Sequence, residues 1–558
     1  MSLASLDRRA LMRAASFAVG ASVVGWAMPG WAGPLSVGVS APETLSGENI
    51  TLTIGKGSLL IDGKPAHAVT INGTVPGPLL RLRQGQNLRL TVVNELDEET
   101  SLHWHGLLVP FQMDGVPGVS FPGIPARSCF TYEFPVTQSG TYWYHSHSGW
   151  QELMGQYAPI VIEPAGTDPN AAPRDHVVML SDHSFVHPAR IVRNLKVDPG
   201  HYKRQQQTLA GLVAGKEQSL GERLAWAKMR MDPTDISDVT GAVLSYLVNG
   251  HGAGDNWTAL FTPGERVRLR FINAAAMTVF DVRIPGLTLS VVAADGQDVR
   301  PIAVEEFQIS PGETYDVIVT PTGDRAYTIA AEAADRSGMA RATLAPQAGM
   351  VAAVPTLRAR PLLTMKDMGM DMPGMDMAKM SMRDGTNAPQ VVLGPGVEMI
   401  SPMPADRTGD PGLGLGNVGH KVLTYRDLVA LDPNPDTRAP AREIEVHLTG
   451  NMDRYMWSMD GKTMSEAHEP LPMRSGERVR VTLINDTMMA HPIHLHGHLF
   501  DLVTGHGDHS PRKHTVNVLP GGKVSYDVTA IPGDWPFHCH LFLHMAMGMM
   551  RVVQVRPV

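Results

Sequence analysis

One ten-residue pattern occurs three times in this chain. Gly85-Gln-Asn-Leu-Arg-Leu-Thr-Val-Val-Asn94 returns as Gly264-Glu-Arg-Val-Arg-Leu-Arg-Phe-Ile-Asn273 and again as Gly476-Glu-Arg-Val-Arg-Val-Thr-Leu-Ile-Asn485. Each copy starts at a turn glycine and alternates apolar with polar residues, the mark of a half-buried strand. Copies roughly two hundred residues apart are too widely spaced for a solenoid and indicate three copies of one domain. The length of 558 residues accommodates three such domains. With 55 glycines, 43 prolines and few aromatic residues, the composition fits a loop-rich, all-β chain.

Counting onward from each terminal asparagine locates the chemistry. Nine and eleven residues after Asn94 stand His103 and His105, and the same offsets from Asn485 reach His494 and His496. From Asn273 they reach Val282 and Ile284. A second register starts at a glycine late in each copy. Gly140 leads to His145 and His147, Gly533 leads to His538 and His540, and Gly323 leads only to Thr328 and Ala330. The outer copies therefore carry paired histidines at matching places, and the middle copy carries none. A His-x-His pair on a strand presents both rings on one face. An isolated pair is more often structural than ligating, but four pairs in register point to a shared metal centre.

The last pair brackets a cysteine. In His538-Cys539-His540, Cys539 faces away from both neighbours, so the thiolate and the two imidazoles serve opposite sides of the strand. A soft thiolate, the imidazole of His544 and the thioether of Met549 are three parts of a blue-copper electron-transfer site. His491, upstream in the same loop as His494 and His496, completes it. The remaining eight imidazoles suffice for three further copper ions held by two, three and three rings, giving four coppers in all. Only Cys129 and Cys539 occur, so a metal-bound Cys539 leaves no disulfide, and Cys129 is expected to be a buried thiol.

The same reading gives a domain map. Residues 1–32 form a leader, in which Arg8-Arg9 precede a short apolar run over 14–26 and Gly30-Trp31-Ala32 supplies a cleavage site. The arginine pair favours twin-arginine export over the general secretory route and places the mature chain in the periplasm. No later segment reads as a membrane span. The first domain covers 42–164 and the second 172–346, with a helical insertion over 202–231 that sets Leu209, Leu212 and Leu224 on one side. A tract over 365–382 holds eight methionines and opens a flexible linker that runs to 416; the third domain covers 419–558. The net charge of −8, without long basic runs, excludes nucleic acid as a partner.

His103-Trp-His-Gly, His145-Ser-His, His491-Pro-Ile-His-Leu-His-Gly and the closing His-Cys-His run resemble the four copper signatures of the multicopper oxidases. Thr141-Tyr-Trp-Tyr-His-Ser-His-Ser-Gly, Leu448-Thr-Gly, Asp486-Thr-Met-Met and Met545-Ala-Met-Gly-Met extend the likeness to the bacterial copper-resistance branch of that family. The resemblance implies three cupredoxin-like β-sandwich or barrel domains, with a trinuclear copper cluster between the first and third. It implies that His103 and His494 hold the type 2 copper. One type 3 copper takes His105, His145 and His540, and the other takes His147, His496 and His538. Electrons received at the blue site cross from Cys539 to His538 and His540, and four of them reduce O₂ to two waters. Asp114 matches a carboxylate that relatives use near the cluster, while its position before Gly115 equally suits a turn former. Some cuprous oxidases carry a second acid directly after the last blue-copper histidine; this chain has Met545 there.

The electron donor is read from methionine. Thioethers prefer Cu(I), and Met365, Met368, Met370, Met372, Met375, Met377, Met380 and Met382 are placed to collect it. Met456, Met459 and Met464 offer a second thioether group, although methionine more often fills cores, and Met547 and Met550 are ambiguous in the same way. His498, His506, His509 and His514 are expected in supporting or loop roles. Three functions compete: a cuprous oxidase serving copper resistance, working among other periplasmic copper-handling proteins; a laccase acting on phenols; and a copper carrier without catalysis. A carrier has no need of a cysteine flanked by cluster ligands.

Overall fold

The structure is a computed structural model describing residues 43–203, 206–216, 218–229, 231–370 and 382–557. The leader and Met372, Met375, Met377 and Met380 lie outside these residues.

Among the described residues six sheets occur in three pairs. The repeated pattern forms the strands Asn87–Asn94, Val267–Asn273 and Arg478–Asn485, and each takes the same place in its sheet. Each runs parallel to the first long strand of its unit, Asn49–Ile61, Arg174–Ser184 or Arg442–Asn451. Each pairs on its other side, antiparallel, with Cys129–Pro135, Thr314–Val319 or Gly522–Thr529. The chain is thus all-β with few helices, and the repeat in sequence is a repeat in topology.

The asparagine closing each copy has a physical task. Asn94 Nδ2 donates to the carbonyls of Ile124, Glu98 and Pro125, while its Oδ1 accepts from Leu96 N–H. Asn273 and Asn485 do the same across their own loops, reaching Ile309 and Val518 in the opposing sheet. A buried amide satisfied at both ends clamps the loop that follows. In the outer units that loop leads directly to the histidine strands His103–His105 and His491–Leu495.

Three expectations need correction. The insertion is not one helix but two, Leu209–Val213 and Leu220–Lys228, broken at the left-handed Gly215 and restarted by the capping box of Ser219 and Glu222. Because Leu209 and Leu224 fall on separate helices they share no buried face; they are 75% and 53% exposed, and Trp226 anchors the segment instead. A further helix, Pro188–Val197, precedes them and buries Ile191, Val192 and Leu195. Cys129 is exposed. It shares the outward face of its strand with Glu133, while Tyr132 and Phe134 point inward. The linker over 365–416 is in good part packed: Met365–Met368 is a 3₁₀ turn, Met368 and Met370 are buried, and Ala405–Asp406 joins the sheet beside Gly522–Thr529. Its anchor is Asp367, whose buried carboxylate meets Arg407 at 2.7 Å.

Among the described residues no helix is long and apolar enough to cross a membrane.

Candidate metal centre

Cys539 ends the strand Gly533–Cys539 and is fully buried. Its Sγ lies 3.5 Å from His491 Nδ1, and His544 Nδ1 lies 3.2 Å from that same nitrogen. The other ring nitrogens are already engaged. His491 Nε2 meets Thr487 Oγ1 at 2.7 Å, and His544 Nε2 meets the Asp238 carboxylate at 3.1 Å. Thr487 in turn faces Asn485 Oδ1, an acceptor, at 2.9 Å. With Nε2 of both rings assigned as the donor, each Nδ1 directs a lone pair at the other and at the thiol. The single proton of the Cys539 thiol can satisfy only one of these two facing lone pairs, whereas a cation would satisfy both. Trp457 stacks on His544 at 3.8 Å and closes the site, and Met549, fully buried, accepts the Cys539 N–H through its carbonyl. Burial pushes the Cys539 thiol well up, so the thiolate forms only with a positive charge beside it.

Across the strand the eight remaining histidines converge. Rings of the first and third units meet pairwise: His103 with His496 and His105 with His494, each at 3.8 Å between centroids. His105, His145 and His540 bring one nitrogen each within 4.8 Å of one another, as do His103, His147 and His496, and His103, His105 and His494. His538 Nε2 lies 3.0 Å from His496 Nε2. His147 stands 5.3 Å from His538, centroid to centroid. Burial pushes His105, His145, His147, His494, His496 and His540 well below the ordinary imidazole range and His538 down to about 3. All seven are therefore neutral at physiological pH, the form that ligates metal.

Six of the eight rings are aimed by a bond on the far side. His103 Nδ1 donates to the Asp114 carbonyl at 2.8 Å, and His496 Nδ1 to the Asp114 carboxylate at 2.9 Å. His494 Nδ1 donates to His514 O at 2.7 Å. His145 Nδ1 meets Glu152 Oε2 at 2.8 Å, His538 Nδ1 the Cys539 carbonyl at 2.9 Å, and His105 Nε2 meets Thr515 Oγ1 at 3.1 Å. The inward nitrogens are left over. His103 Nε2, His105 Nδ1, His145 Nε2, His147 Nε2, His494 Nε2 and both nitrogens of His540 are buried without a protein partner. So many orphaned acceptors around one centre are incompatible with a closed core. With imidazole donors on one side and thiolate with imidazole on the other, the donor chemistry fits copper.

Asp114 ends the turn Phe111–Met113; its main-chain carbonyl faces His103 and its carboxylate faces His496. Gly115 beside it is obligatory, since a Cβ would lie 1.8 Å from Leu102 O.

Several contributors escape sequence reasoning. Glu152, five residues past His147, sits in a loop already marked as important, so proximity could have flagged it. Burial holds its carboxyl well above the usual range. Thr487 lies four residues before the ring it meets, within the Asp486-Thr-Met-Met motif, whereas Asp238 and Thr515 carry no local signal; Asp238 is 306 residues from the ring it holds. Of the other histidines, His506 and His509 bond loop carbonyls and His498 Nδ1 donates to His496 O, the expected supporting roles. Of the methionines, Met459 and Met550 are buried, Met456 is half-buried and Met464 is 45% exposed, so these do not share one environment.

Multicopper oxidase family models match residues 53–167, 216–350 and 437–558. The chain belongs to the multicopper oxidase family, whose cofactor is copper. Within it, the chain is 46% identical to a Copper resistance protein A homolog of Pseudomonas syringae pv. tomato, over 92% of this chain and 93% of that one. It is also 46% identical to Copper resistance protein A of Escherichia coli, over 93% and 94%. Among solved structures, Fet3p, a multicopper oxidase that functions in iron import, superposes with a TM-score of 0.66 at 18% identity, over 92% of this chain and 90% of that one.

Filling these sites should stabilise the fold. Copper at about 1,000 times its Kd contributes about 4 kcal/mol, and each kcal/mol moves Tm by about 2–4 °C in domains of this size. Calorimetry of copper-free and copper-loaded protein is expected to show Tm higher by about 10 °C in the loaded form. Equal Tm values in the two forms would contradict the site as drawn.

Proposed function

We propose that this chain is a periplasmic oxidase of copper resistance, exported by the twin-arginine leader, that couples one-electron oxidation of Cu(I) to reduction of O₂ to water. The domains are 42–164, 172–346 and 419–558, the last extended by the strand Ala405–Asp406 of the preceding linker, and the outer two carry the ligands. His491, Cys539, His544 and Met549 hold a type 1 copper. His103 and His494 hold the type 2 copper, and two type 3 coppers take His105, His145 and His540, and His147, His496 and His538. When bound, the four ions supply the storage and transfer of electrons that no side chain here can provide.

The observation that carries this reading is the position of Cys539, directly bonded along the backbone to His538 and His540. One strand thereby joins the thiol site to the cluster through a handful of covalent bonds, which a carrier would not require. The residues around that strand hold geometry and protonation. Asp238 and Thr487 keep the two outer rings in one tautomer, Asp114 and Glu152 do so for the inner ones, and burial on every side keeps bulk water out. The copper-resistance role is supported by the 46% identity to proteins of that name. Thioether softness toward Cu(I) supports the donor, with the 365–382 tract as collector.

A specific feature favours phenols as a second reading. A shallow apolar cleft, about 560 Å³ with the solvent at its open mouth counted in, is lined by Met277, Leu363, Met488, Met489 and Leu541, with Asp238 among its walls. Its wall at Asp238 backs onto the His544 ring.

Steady-state oxygen uptake with Cu(I) and with dimethoxyphenol separates the two. The proposal expects faster turnover with Cu(I), and deletion of 371–381 is expected to raise the KM for Cu(I) while leaving phenol turnover intact. Unchanged Cu(I) kinetics in the deletion would remove the collecting role. Uptake with phenol alone would make the enzyme a laccase.

A further inference from the structure

The middle unit holds no ligand histidine, yet its hairpin turn at Asp295-Gly296 reaches into the space between the outer two. The fit there is close. A Cβ at Gly296 would lie 2.2 Å from the Tyr142 ring of the first unit, and one at Gly140 would lie 2.2 Å from Gly296 O. Asp295 itself has a left-handed φ of 48°, a conformation asparagine, aspartate and glycine tolerate best. Its carboxylate is fully buried, and both oxygens are used. Oδ1 accepts from Thr314 N–H at 3.0 Å and pairs with Lys513 Nζ at 3.1 Å. Oδ2 accepts from the backbone N–H groups of His514 and Thr515, each at 3.1 Å.

Those two residues are the ones that aim cluster rings. His514 O takes the Nδ1 proton of His494, and Thr515 Oγ1 meets Nε2 of His105 at 3.1 Å. Lys513, fully buried, balances the charge: it also pairs with Glu313 at 3.1 Å and lies over the rings of Tyr315 and Tyr425. A buried carboxylate with this many partners holds the 513–515 segment against movement.

We propose that Asp295, from the ligand-free middle unit, is a positioning residue of the trinuclear site, fixing His514 and Thr515 so that His494 and His105 point at their metals. This rests on the trinuclear assignment above. It gives the middle unit a task besides spacing the other two.

Asparagine cannot substitute for this carboxylate. Its amide nitrogen must face either Thr314 N–H and Lys513 or the two backbone N–H groups, a donor against donors in both orientations. The test compares Asp295→Ala, Asp295→Asn, Thr515→Val and Thr515→Ser with the parent chain, all loaded with copper. The readouts are copper per chain, the blue absorbance band, and the type 1 and type 2 electron paramagnetic resonance signals. Asp295→Asn and Thr515→Val are expected to keep the blue band and the type 1 signal. Their type 2 hyperfine splitting is expected to shift, and their affinity for non-blue copper to fall by about 10–100-fold. Asp295→Ala is expected to show the same loss more strongly, and Thr515→Ser to recover the parent spectrum. Should Asp295→Ala not fold, Asp295→Asn decides. A parent-like type 2 signal with full copper content in Asp295→Asn overturns the proposal, as does loss of blue and non-blue copper together. A parent chain that shows no type 2 signal at all would instead sink the trinuclear assignment itself.

Discussion

Replacing Cys539 by serine is expected to bleach the blue absorbance band and to reduce oxygen uptake, with Cu(I) or phenol, to the rate measured without protein. A hydroxyl supplies neither the soft donor nor the covalent relay of charge that a thiolate provides. The substitution is nearly isosteric, and the His491 and His544 rings keep their outer bonds to Thr487 and Asp238, so the fold should persist. The cluster rings on the opposite side of the strand lose no partner. Copper analysis of the variant should therefore find the non-blue ions retained and the blue one absent. Retention of donor-driven oxygen uptake in a colourless Cys539→Ser protein would show that electrons do not pass along this strand.

Asp114→Ala is expected to be the most damaging change outside the ligand set. Asp114 faces a ring from each outer unit: its main-chain carbonyl accepts from His103 Nδ1 at 2.8 Å, and its carboxylate Oδ2 accepts from His496 Nδ1 at 2.9 Å. Removing the carboxylate leaves His496 Nδ1 buried without a partner, at a cost of about 1–3 kcal/mol. His103 keeps the main-chain carbonyl. Losing a partner of this kind typically costs about 10–100-fold in metal affinity or activity. Oxygen uptake should fall by that factor while the blue band stays at its parent intensity. Asp114→Asn, which can present an oxygen to His496, should recover part of the loss. Equal oxygen uptake in Asp114→Ala and the parent would reduce Asp114 to its turn-forming role.

Much of this was legible in the chain because strand periodicity and ligand spacing are local. The asparagine-closed repeat foretold three equivalent strands, and the offsets from it and from a late glycine of each outer copy led to the eight histidines of the candidate cluster. Alternation along His538-Cys539-His540 foretold two sites on opposite faces of one strand. Misjudgements arose where local pattern was weak or unread. The leucines of the insertion imply a shared face only if the helix is continuous, and Gly215 interrupts it. The fate of Cys129 was written in the alternation of its own strand, since Tyr132 and Phe134 claim the inward face. The methionine tract looked unstructured because a 3₁₀ turn held by Asp367 and Arg407 depends on a residue 40 positions away.

The chain by itself determined the strands, the candidate ligands and the two-sided arrangement at Cys539, since each follows from side chains a few residues apart on a regular backbone. Only the tertiary structure decided which groups aim the rings: Asp238 on His544, Glu152 on His145, and Asp295 behind His514 and Thr515. The reason is physical. A ring's orientation is set by whichever acceptor lies within hydrogen-bond reach of its outer nitrogen, and three packed units can bring that acceptor from anywhere in the sequence.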